Sequence, residues 1–143
     1  MHILFTRNNS IASRLIRRLT SEDVSHCAVE YNGFVYHSNF MGMHVETVHH
    51  FYSRNEIVYS LQIHQDPSML GIAVDSYEGS MYDYGAFLYI GLKCLLPFLP
   101  KINLWQTTGM FLCTEWVQEV LGREIDSMIT PYKLYELLSQ KEE

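Results

Sequence analysis

Short apolar segments separated by turn residues fill the first half of the chain. Their lengths and their aliphatic and aromatic content are typical of β-strands. They cover residues 3–6, 25–31, 33–37, 43–48 and 56–63. The dipeptide Asn32-Gly33 tolerates the positive φ angles of a two-residue turn, so the second and third segments are predicted to form a tight β-hairpin.

Helical patterns follow the first strand and dominate the second half. Ser10 and Asp66 are suitable N-caps, Pro131 suits a first helical position, and Gly122 suits a C-cap. The predicted helices cover residues 11–20, 67–77, 82–96, 110–121 and 131 onward. Strands concentrated in one half and helices in the other predict an α+β fold.

Composition narrows the class of protein. The chain has 143 residues, of which 48% are hydrophobic and 18% are charged, which favours one globular domain over residues 1–143 and excludes a disordered acidic segment. The formal net charge of −6 argues against a nucleic-acid partner. Three cysteines are too few for a disulfide framework and fit a reducing compartment.

The apolar segments do not predict membrane insertion. The longest one, residues 85–99, is interrupted by Lys93 and Pro97 and is shorter than the roughly 20 residues that a spanning helix needs. The N-terminus turns polar after three apolar residues and lacks a signal-peptide core. We therefore expect a cytoplasmic protein, with contact between the helix at 82–96 and a membrane surface as the less favoured alternative.

The charge is unevenly distributed. Residues 1–20 hold four arginines and no acidic residue. Within the helix at 11–20, an apolar stripe is formed by Ile11, Leu15 and Leu19, and the basic residues that lie off it are Arg14, Arg17 and Arg18. These arginines are either a solvated helix face or a contact for an anionic substrate group or an acidic surface.

Among the three cysteines, Cys113 is the best candidate nucleophile. It lies near the start of a helix, where the helix dipole favours a thiolate, and it shares the inward face with Trp116, Val117 and Val120. Cys94 lies near the end of a helix, where the dipole disfavours an anion. Cys27 lies on a strand. The alternative for Cys113 is a small buried core residue, as most free cysteines are.

Two histidines lie on one face of the predicted hairpin. A turn at Asn32-Gly33 pairs Tyr31 with Phe34, and continuing the ladder places His37 opposite Ala28. His26 is then the diagonal neighbour of His37, at a backbone separation of roughly 7–8 Å. One imidazole could therefore act as a base and the other could orient it.

The remaining histidines give weaker indications of a functional site. His49 and His50 are adjacent, so on a strand they would face opposite ways, and no pair has the spacing of a helical zinc site. His2 and His64 are expected at the surface. A metal site is a less favoured alternative, with its ligands drawn from His26, His37, His44 and Cys113.

Several motifs, in a fixed order along nearly the whole chain, resemble one superfamily of enzymes. They are the strand and helix at 3–20, Ser25-His26-Cys27-Ala28-Val29, Val35-Tyr36-His37-Ser38, Tyr82-Asp83-Tyr84, Phe111-Leu112-Cys113-Thr114-Glu115-Trp116-Val117 and Thr130-Pro131-Tyr132-Lys133-Leu134. The set resembles the circularly permuted branch of the papain-like NlpC-type superfamily, which includes cell-envelope amidases and lecithin–retinol acyltransferase-like enzymes. Thr114 departs from the commoner Ser, and Cys27 from a small or apolar residue.

The resemblance implies a permuted papain-like fold, in which a small antiparallel sheet packs against a helix that carries the nucleophile. By this resemblance Cys113 would be the nucleophile, His26 the general base and His37 the residue that orients it. The Cys113 backbone N–H would stabilise the oxyanion. The resemblance implies neither a cofactor nor a metal, and Tyr82 and Tyr84 are either pocket-lining or core residues.

The activity implied is that of a cysteine hydrolase or acyltransferase that cleaves an amide or ester bond through a thioester. The substrate would be a cell-wall peptide, a lipid or a protein conjugate, and its specificity is expected to reside in loops around residues 42–55 and 97–109. The alternative is a catalytically inactive papain-like module that binds a partner as an inhibitor or adaptor. The sequence does not indicate an oligomeric state.

Overall fold

The computed structural model describes residues 1–77, 80–82, 84–96, 98, 110–123, 125–126 and 128–140. The elements in chain order are β1 (His2–Arg7), α1 (Ile11–Thr20), β2 (His26–Tyr31), β3 (Phe34–Asn39), β4 (Gly42–Thr47), α2 (Val48–Arg54), β5 (Glu56–Gln62), α3 (Pro67–Tyr77), β6 (Met81–Tyr82), α4 (Tyr84–Leu95), β7 (Met110–Phe111), α5 (Cys113–Val120) and α6 (Pro131–Ser139). The fold is therefore α+β, as the order of strands and helices in the sequence predicted.

Five strands form one antiparallel sheet in the order β4-β3-β2-β1-β5. The predicted hairpin is confirmed, since Tyr31 pairs with Phe34 and Val29 pairs with Tyr36. Its turn residues, Asn32 and Gly33, both have positive φ angles, 50° and 81°. These angles give the turn the twist that matches the flanking strands.

The two faces of the sheet pack against different helices because successive residues of a strand point to opposite sides. Cys27 and Val29 of β2 point into the larger cluster, which includes Trp116 of α5. Ala28, between them, points into a smaller cluster that contains Phe51 of α2. The sheet is therefore covered by α5 and α6 on one side and by α2 on the other.

The strands β2 and β3 are paired over only part of their length. The ladder runs from Tyr31 to Val29 on β2, whereas β2 begins at His26. On its other edge β3 pairs with β4 along its whole length, from Phe34 to Asn39. The predicted pair of Ala28 with His37 is therefore not part of the ladder, and His26 and His37 lie beyond the paired part of the hairpin.

The helix α2 was not predicted from the sequence. Residues 48–54 were expected to be part of a loop, with His49 and His50 facing opposite ways on a strand, and this expectation was wrong. The side chain of Thr47 accepts a hydrogen bond from the His50 backbone N–H, at 3.3 Å, and so caps the helix. Because α2 has only seven residues, it shows no long apolar stripe.

Two predicted helices start later than the apolar pattern indicated. The helix expected at 82–96 is α4, which begins at Tyr84, and the helix expected at 110–121 is α5, which begins at Cys113. The residues before them form β6 and β7, a short parallel pair. In the part of the chain that the structure describes, the helices are too short or too polar to cross a membrane.

Replacing Phe51 by Ala is expected to lower the free energy of unfolding by about 3–5 kcal/mol, because Phe51 is fully buried between α2 and the sheet. Chemical denaturation measures this change. Phe98→Ala is the matched control, since the Phe98 side chain is 79% exposed and its loss should change stability by less than about 0.5 kcal/mol. Equal effects of the two substitutions would contradict the packing described here.

Candidate active site

Cys113 is the first residue of α5 and is only 5% exposed. The helix start is fixed by the Glu115 carboxylate, which accepts a hydrogen bond from the Leu112 backbone N–H at 2.9 Å. The indole N–H of Trp116 donates to the carbonyl oxygen of Tyr36 at 3.2 Å and ties α5 to β3. Cys113 therefore has a defined position against the sheet.

The thiol of Cys113 meets two side chains from the start of β2. Cys27 and His26 lie close enough to Cys113 to act on the pKa of its thiol. The hydrogen bond from Cys27, followed by the charge and the hydrogen bond of His26, holds the pKa of Cys113 well below that of an ordinary thiol, although burial acts in the opposite direction. The site thus favours a Cys113 thiolate.

Cys27 has the opposite protonation preference. It is fully buried, and desolvation raises the pKa of its thiol well above the usual value, with the neighbouring Cys113 adding to the shift. Of the two neighbouring thiols, Cys113 is therefore the one whose surroundings favour the thiolate, and those of Cys27 favour the protonated form. A protonated Cys27 can donate its S–H hydrogen bond to the Cys113 thiolate.

His37 lies behind His26 and connects it to an acidic residue. The two rings are joined by a hydrogen bond of 3.0 Å between His26 Nε2 and His37 Nδ1. On its other side, His37 Nε2 lies 2.9 Å from Glu46 Oε1. Burial, together with the positive charge of His26, lowers the pKa of His37 to about 2, so its ring is neutral.

These contacts fix the tautomers of both imidazoles. A carboxylate only accepts hydrogen bonds, so the neutral His37 carries its proton on Nε2 and donates it to Glu46. His37 Nδ1 must then accept the hydrogen bond from His26 Nε2–H. When His26 is neutral, its Nδ1 is therefore left unprotonated and is the nitrogen that can take a proton from Cys113.

Glu46 was not identified from the sequence. Its side chain is almost completely buried, and its carboxylate accepts hydrogen bonds from Arg54 of α2, at 2.7 Å to Oε1 and 2.5 Å to Oε2. His50, also on α2, lies 2.6 Å from its Oε2. One feature of the sequence could have pointed to Glu46, because it shares one face of a predicted strand with His44. Its other partners, Arg54 and His50, belong to the helix α2, which the sequence did not predict.

A possible set of metal ligands overlaps this network. Within the described part of the chain, ligand atoms of His37, His44 and Glu46 lie within 4.8 Å of one another. Neither Cys113 nor His26, both expected in the alternative metal site, belongs to this group. Its carboxylate is already engaged by Arg54, and His37 donates to it, so the arrangement suits orientation of His26 better than metal binding.

Two cavities border Cys113 and His26. Cys113 lines an apolar cavity of about 450 Å³ between α1 and α4. His26 and His37 line a second cavity of about 470 Å³, whose walls include the polar side chains of Asn39 and Arg54. Both volumes lie within the range of roughly 300–1,000 Å³ that is usual for small-molecule sites.

The structure thus brings the three predicted site residues, Cys113, His26 and His37, into one chain of contacts. Of the other residues that the sequence singled out, some lie outside the described part of the chain and some form other elements than expected. The side chains of Tyr82 and Tyr84 and the expected loop at 97–109, apart from residue 98, lie outside the described residues. Residues 42–55 form β4 and α2 rather than a loop, and supply the positioning groups Glu46 and Arg54.

The basic residues of α1 do not reach the Cys113 site. Arg17 donates weakly to the backbone oxygens of Ser13 and Asn8, each at 3.4 Å, and lines a separate polar cavity beside Arg7. The roles weighed for Arg14, Arg17 and Arg18, a solvated face or an anion contact, stay as predictions.

Comparison with known proteins assigns neither a family nor a function to this chain. No protein-family model matches the sequence, and no curated protein is significantly similar to it.

Replacing Cys27 by Ala is expected to raise the pKa of Cys113, because the substitution removes the hydrogen bond that contributes most to lowering it. The pH dependence of Cys113 alkylation by iodoacetamide reports this pKa. Cys27→Ser keeps a hydrogen-bond donor at the same place and should restore much of the shift. An unchanged alkylation profile in Cys27→Ala would show that Cys27 has no influence on the thiolate.

Proposed function

We propose that this protein is a cysteine-dependent hydrolase or acyltransferase that cleaves an amide or ester bond through a thioester. The observation that carries the proposal is the continuous line of contacts from Cys113 through His26 and His37 to Glu46. A nucleophile, a base and the groups that orient the base are the parts that covalent acyl transfer requires.

The first step follows from the assigned tautomers. His26 Nδ1 takes the proton of Cys113, and the resulting thiolate attacks the carbonyl carbon of the substrate. The C–S bond forms as the carbonyl π bond opens, and the tetrahedral intermediate carries one negative charge on oxygen. The Cys113 backbone N–H, at the start of α5, lacks an intrahelical partner and is suited to stabilise that oxygen.

The second half of the cycle returns the enzyme to its initial state. The imidazolium of His26 gives its proton to the leaving nitrogen or oxygen as the bond to it breaks, which leaves an acyl thioester on Cys113. Water or another acceptor, deprotonated by the same nitrogen of His26, then attacks the thioester and releases Cys113. Through both steps, neutral His37 and Glu46 keep His26 Nδ1 aimed at the sulfur atom.

The assignment of this α+β fold to the permuted papain-like type is part of the proposal. We infer a circularly permuted papain-like fold from the order of the parts, since the base on β2 precedes the nucleophile on α5 in the sequence. An antiparallel sheet packed against a helix that begins with the nucleophile supports the same inference. The substrate classes compatible with the site are cell-wall peptides, lipids and protein conjugates.

Trapping the acyl-enzyme tests the proposed function. Rapid acid quenching during turnover of p-nitrophenyl acetate, followed by peptide mass spectrometry, should find an acetyl group on Cys113. The adduct should be absent in Cys113→Ala and should persist longer when His26 is replaced by Ala, because deacylation loses its base. Acetylation spread equally over Cys27, Cys94 and Cys113 would overturn the proposal and favour a binding module.

A further inference from the structure

We propose that Cys113 and Cys27 form an oxidation site, in which hydrogen peroxide joins them in a disulfide and a dithiol restores the two free thiols. The inference goes beyond the proposed function and does not depend on it, because it concerns the redox chemistry of two sulfur atoms and not the turnover of a substrate. Both cysteines are free and buried. Cys27 forms no bond to the substrate in the proposed acyl transfer, so its own chemistry is left unused there.

The two cysteines are held beside each other by different parts of the fold. Cys27 is paired with Phe5 within the sheet, and its side chain points into the cluster that contains Trp116. Cys113 is the first residue of α5, which packs against β2, and its side chain belongs to the same buried cluster. Cys113 and Cys27 therefore lie on neighbouring elements with their side chains in one cluster, which is the placement that a disulfide requires.

A small oxidant can reach Cys113 but not Cys27. Cys113 lines the cavity between α1 and α4, and this cavity is open to solvent, because Leu88 in its wall is 61% exposed. Cys27 is fully buried. The surroundings of Cys113 also favour the thiolate, which is the form of a cysteine that attacks peroxides. Peroxide therefore reacts first with Cys113.

The first step oxidises the sulfur atom of Cys113 by two electrons and reduces the peroxide. The thiolate attacks one oxygen atom of hydrogen peroxide, and the S–O bond forms as the O–O bond breaks. The departing hydroxide takes the proton that His26 holds and leaves as water. Cys113 is then a neutral sulfenic acid, which condenses readily with a neighbouring thiol.

The second step joins the two sulfur atoms. The sulfur of Cys27 attacks that of Cys113, and the S–S bond forms as the S–O bond breaks. The departing oxygen takes the proton of Cys27 and leaves as water, so two thiols and one peroxide give one disulfide and two waters. Besides burial, Cys113 itself raises the pKa of the Cys27 thiol. This effect weakens once Cys113 has lost its negative charge, which makes Cys27 a better nucleophile after the first step.

The disulfide is expected to protect Cys113 from irreversible damage. A sulfenic acid without a neighbouring thiol is oxidised further to a sulfinic acid, which thiols do not reduce. A dithiol that enters the cavity can attack the sulfur of Cys113 and release Cys27. Its second thiol then closes the ring of the oxidised dithiol and releases Cys113, so both cysteines return to their reduced forms.

Peptide mapping after peroxide treatment tests the proposal without a substrate. The protein is exposed to hydrogen peroxide, remaining thiols are blocked with N-ethylmaleimide, and digests are compared before and after treatment with dithiothreitol. The wild type should yield two peptides joined through Cys27 and Cys113, lighter than the reduced pair by two hydrogen atoms, and dithiothreitol should separate them. A disulfide to Cys94, a disulfide between two molecules, or a wild-type Cys113 that ends as a sulfinic acid would overturn the proposal.

Cys27→Ser is the variant that isolates the disulfide, because it keeps a hydrogen-bond donor beside Cys113 but cannot form an S–S bond. After peroxide and then dithiothreitol, the fraction of Cys113 that iodoacetamide labels should be at least about fivefold lower in Cys27→Ser than in the wild type. Cys94→Ala is the matched control and should recover as the wild type does. Equal recovery in Cys27→Ser and the wild type would overturn the proposal, whether or not the protein cleaves esters.

Discussion

Replacing Cys113 by Ala is expected to reduce kcat/KM for ester hydrolysis by at least about 10³-fold, because the neighbouring thiol, Cys27, is fully buried and cannot take its place. His26 and the α5 N–H groups would remain and could still polarise a carbonyl group. The substitution removes only one buried sulfur atom, so the circular dichroism spectrum and the melting temperature should change little. Steady-state rates with p-nitrophenyl esters measure the loss.

Cys94→Ala is the matched control for this loss. Cys94 belongs to α4, whereas the two residues that lower the pKa of Cys113, Cys27 and His26, belong to β2. Its replacement should leave kcat/KM within about twofold of the wild-type value, as for a substitution outside the reacting groups. Comparable activity in Cys113→Ala and Cys94→Ala would mean that the reaction does not pass through Cys113.

Replacing Glu46 by Gln is expected to lower kcat/KM by about 10²-fold or more, because an amide, unlike a carboxylate, can donate a hydrogen bond to His37 and so no longer enforces the tautomers on which the base depends. The amide N–H₂ of Gln can donate to His37 Nε2, which would place the His37 proton on Nδ1. His37 would then donate to His26 Nε2, and the His26 proton would move to Nδ1, which faces Cys113. His26 could no longer accept the proton of Cys113.

The pH profile separates this positioning role from a loss of structure. In Glu46→Gln, the alkylation rate of Cys113 should shift towards the pH range of an ordinary thiol, at about 8.5. Glu56→Gln is the control, since Glu56 makes an exposed ion pair with Arg7 at 2.6 Å that lies outside the site. A wild-type alkylation profile in Glu46→Gln would contradict the role assigned to Glu46.

The parts of the fold that the sequence predicted depend on local chemistry. Asn32-Gly33 determines both the hairpin turn and the register of the paired residues, from Tyr31 with Phe34 to Val29 with Tyr36. The hydrogen bond between His26 and His37 lies just beyond this ladder, on the two strands that the turn joins. The inward direction of Cys113 followed from the helical spacing that it shares with Trp116, which is also buried. In both cases residues close in the sequence carry enough information to place a side chain.

The parts that the sequence did not predict depend on contacts between distant or short elements. The helix α2 is too short for a periodic signal, so Arg54 could not be linked to Glu46 in advance. The apolar stripe of α1 is visible in the sequence, but nothing local indicates that two of its members, Leu15 and Leu19, line a cavity with α4. The contact between Cys27 and Cys113 arises only when α5 packs against β2.

The central claim is that Cys113 is a thiolate maintained by its contacts with β2, and the pH dependence of its alkylation tests this claim most directly. Iodoacetamide labelling of the three cysteines, resolved by peptide mass spectrometry, should proceed fastest at Cys113 and should stay fast as the pH falls below about 8.5, the usual thiol pKa. In His26→Ala, the labelling rate of Cys113 should decline at a higher pH than in the wild type. Slow labelling of Cys113 below that pKa, at a rate equal to those of Cys27 and Cys94, would contradict the account.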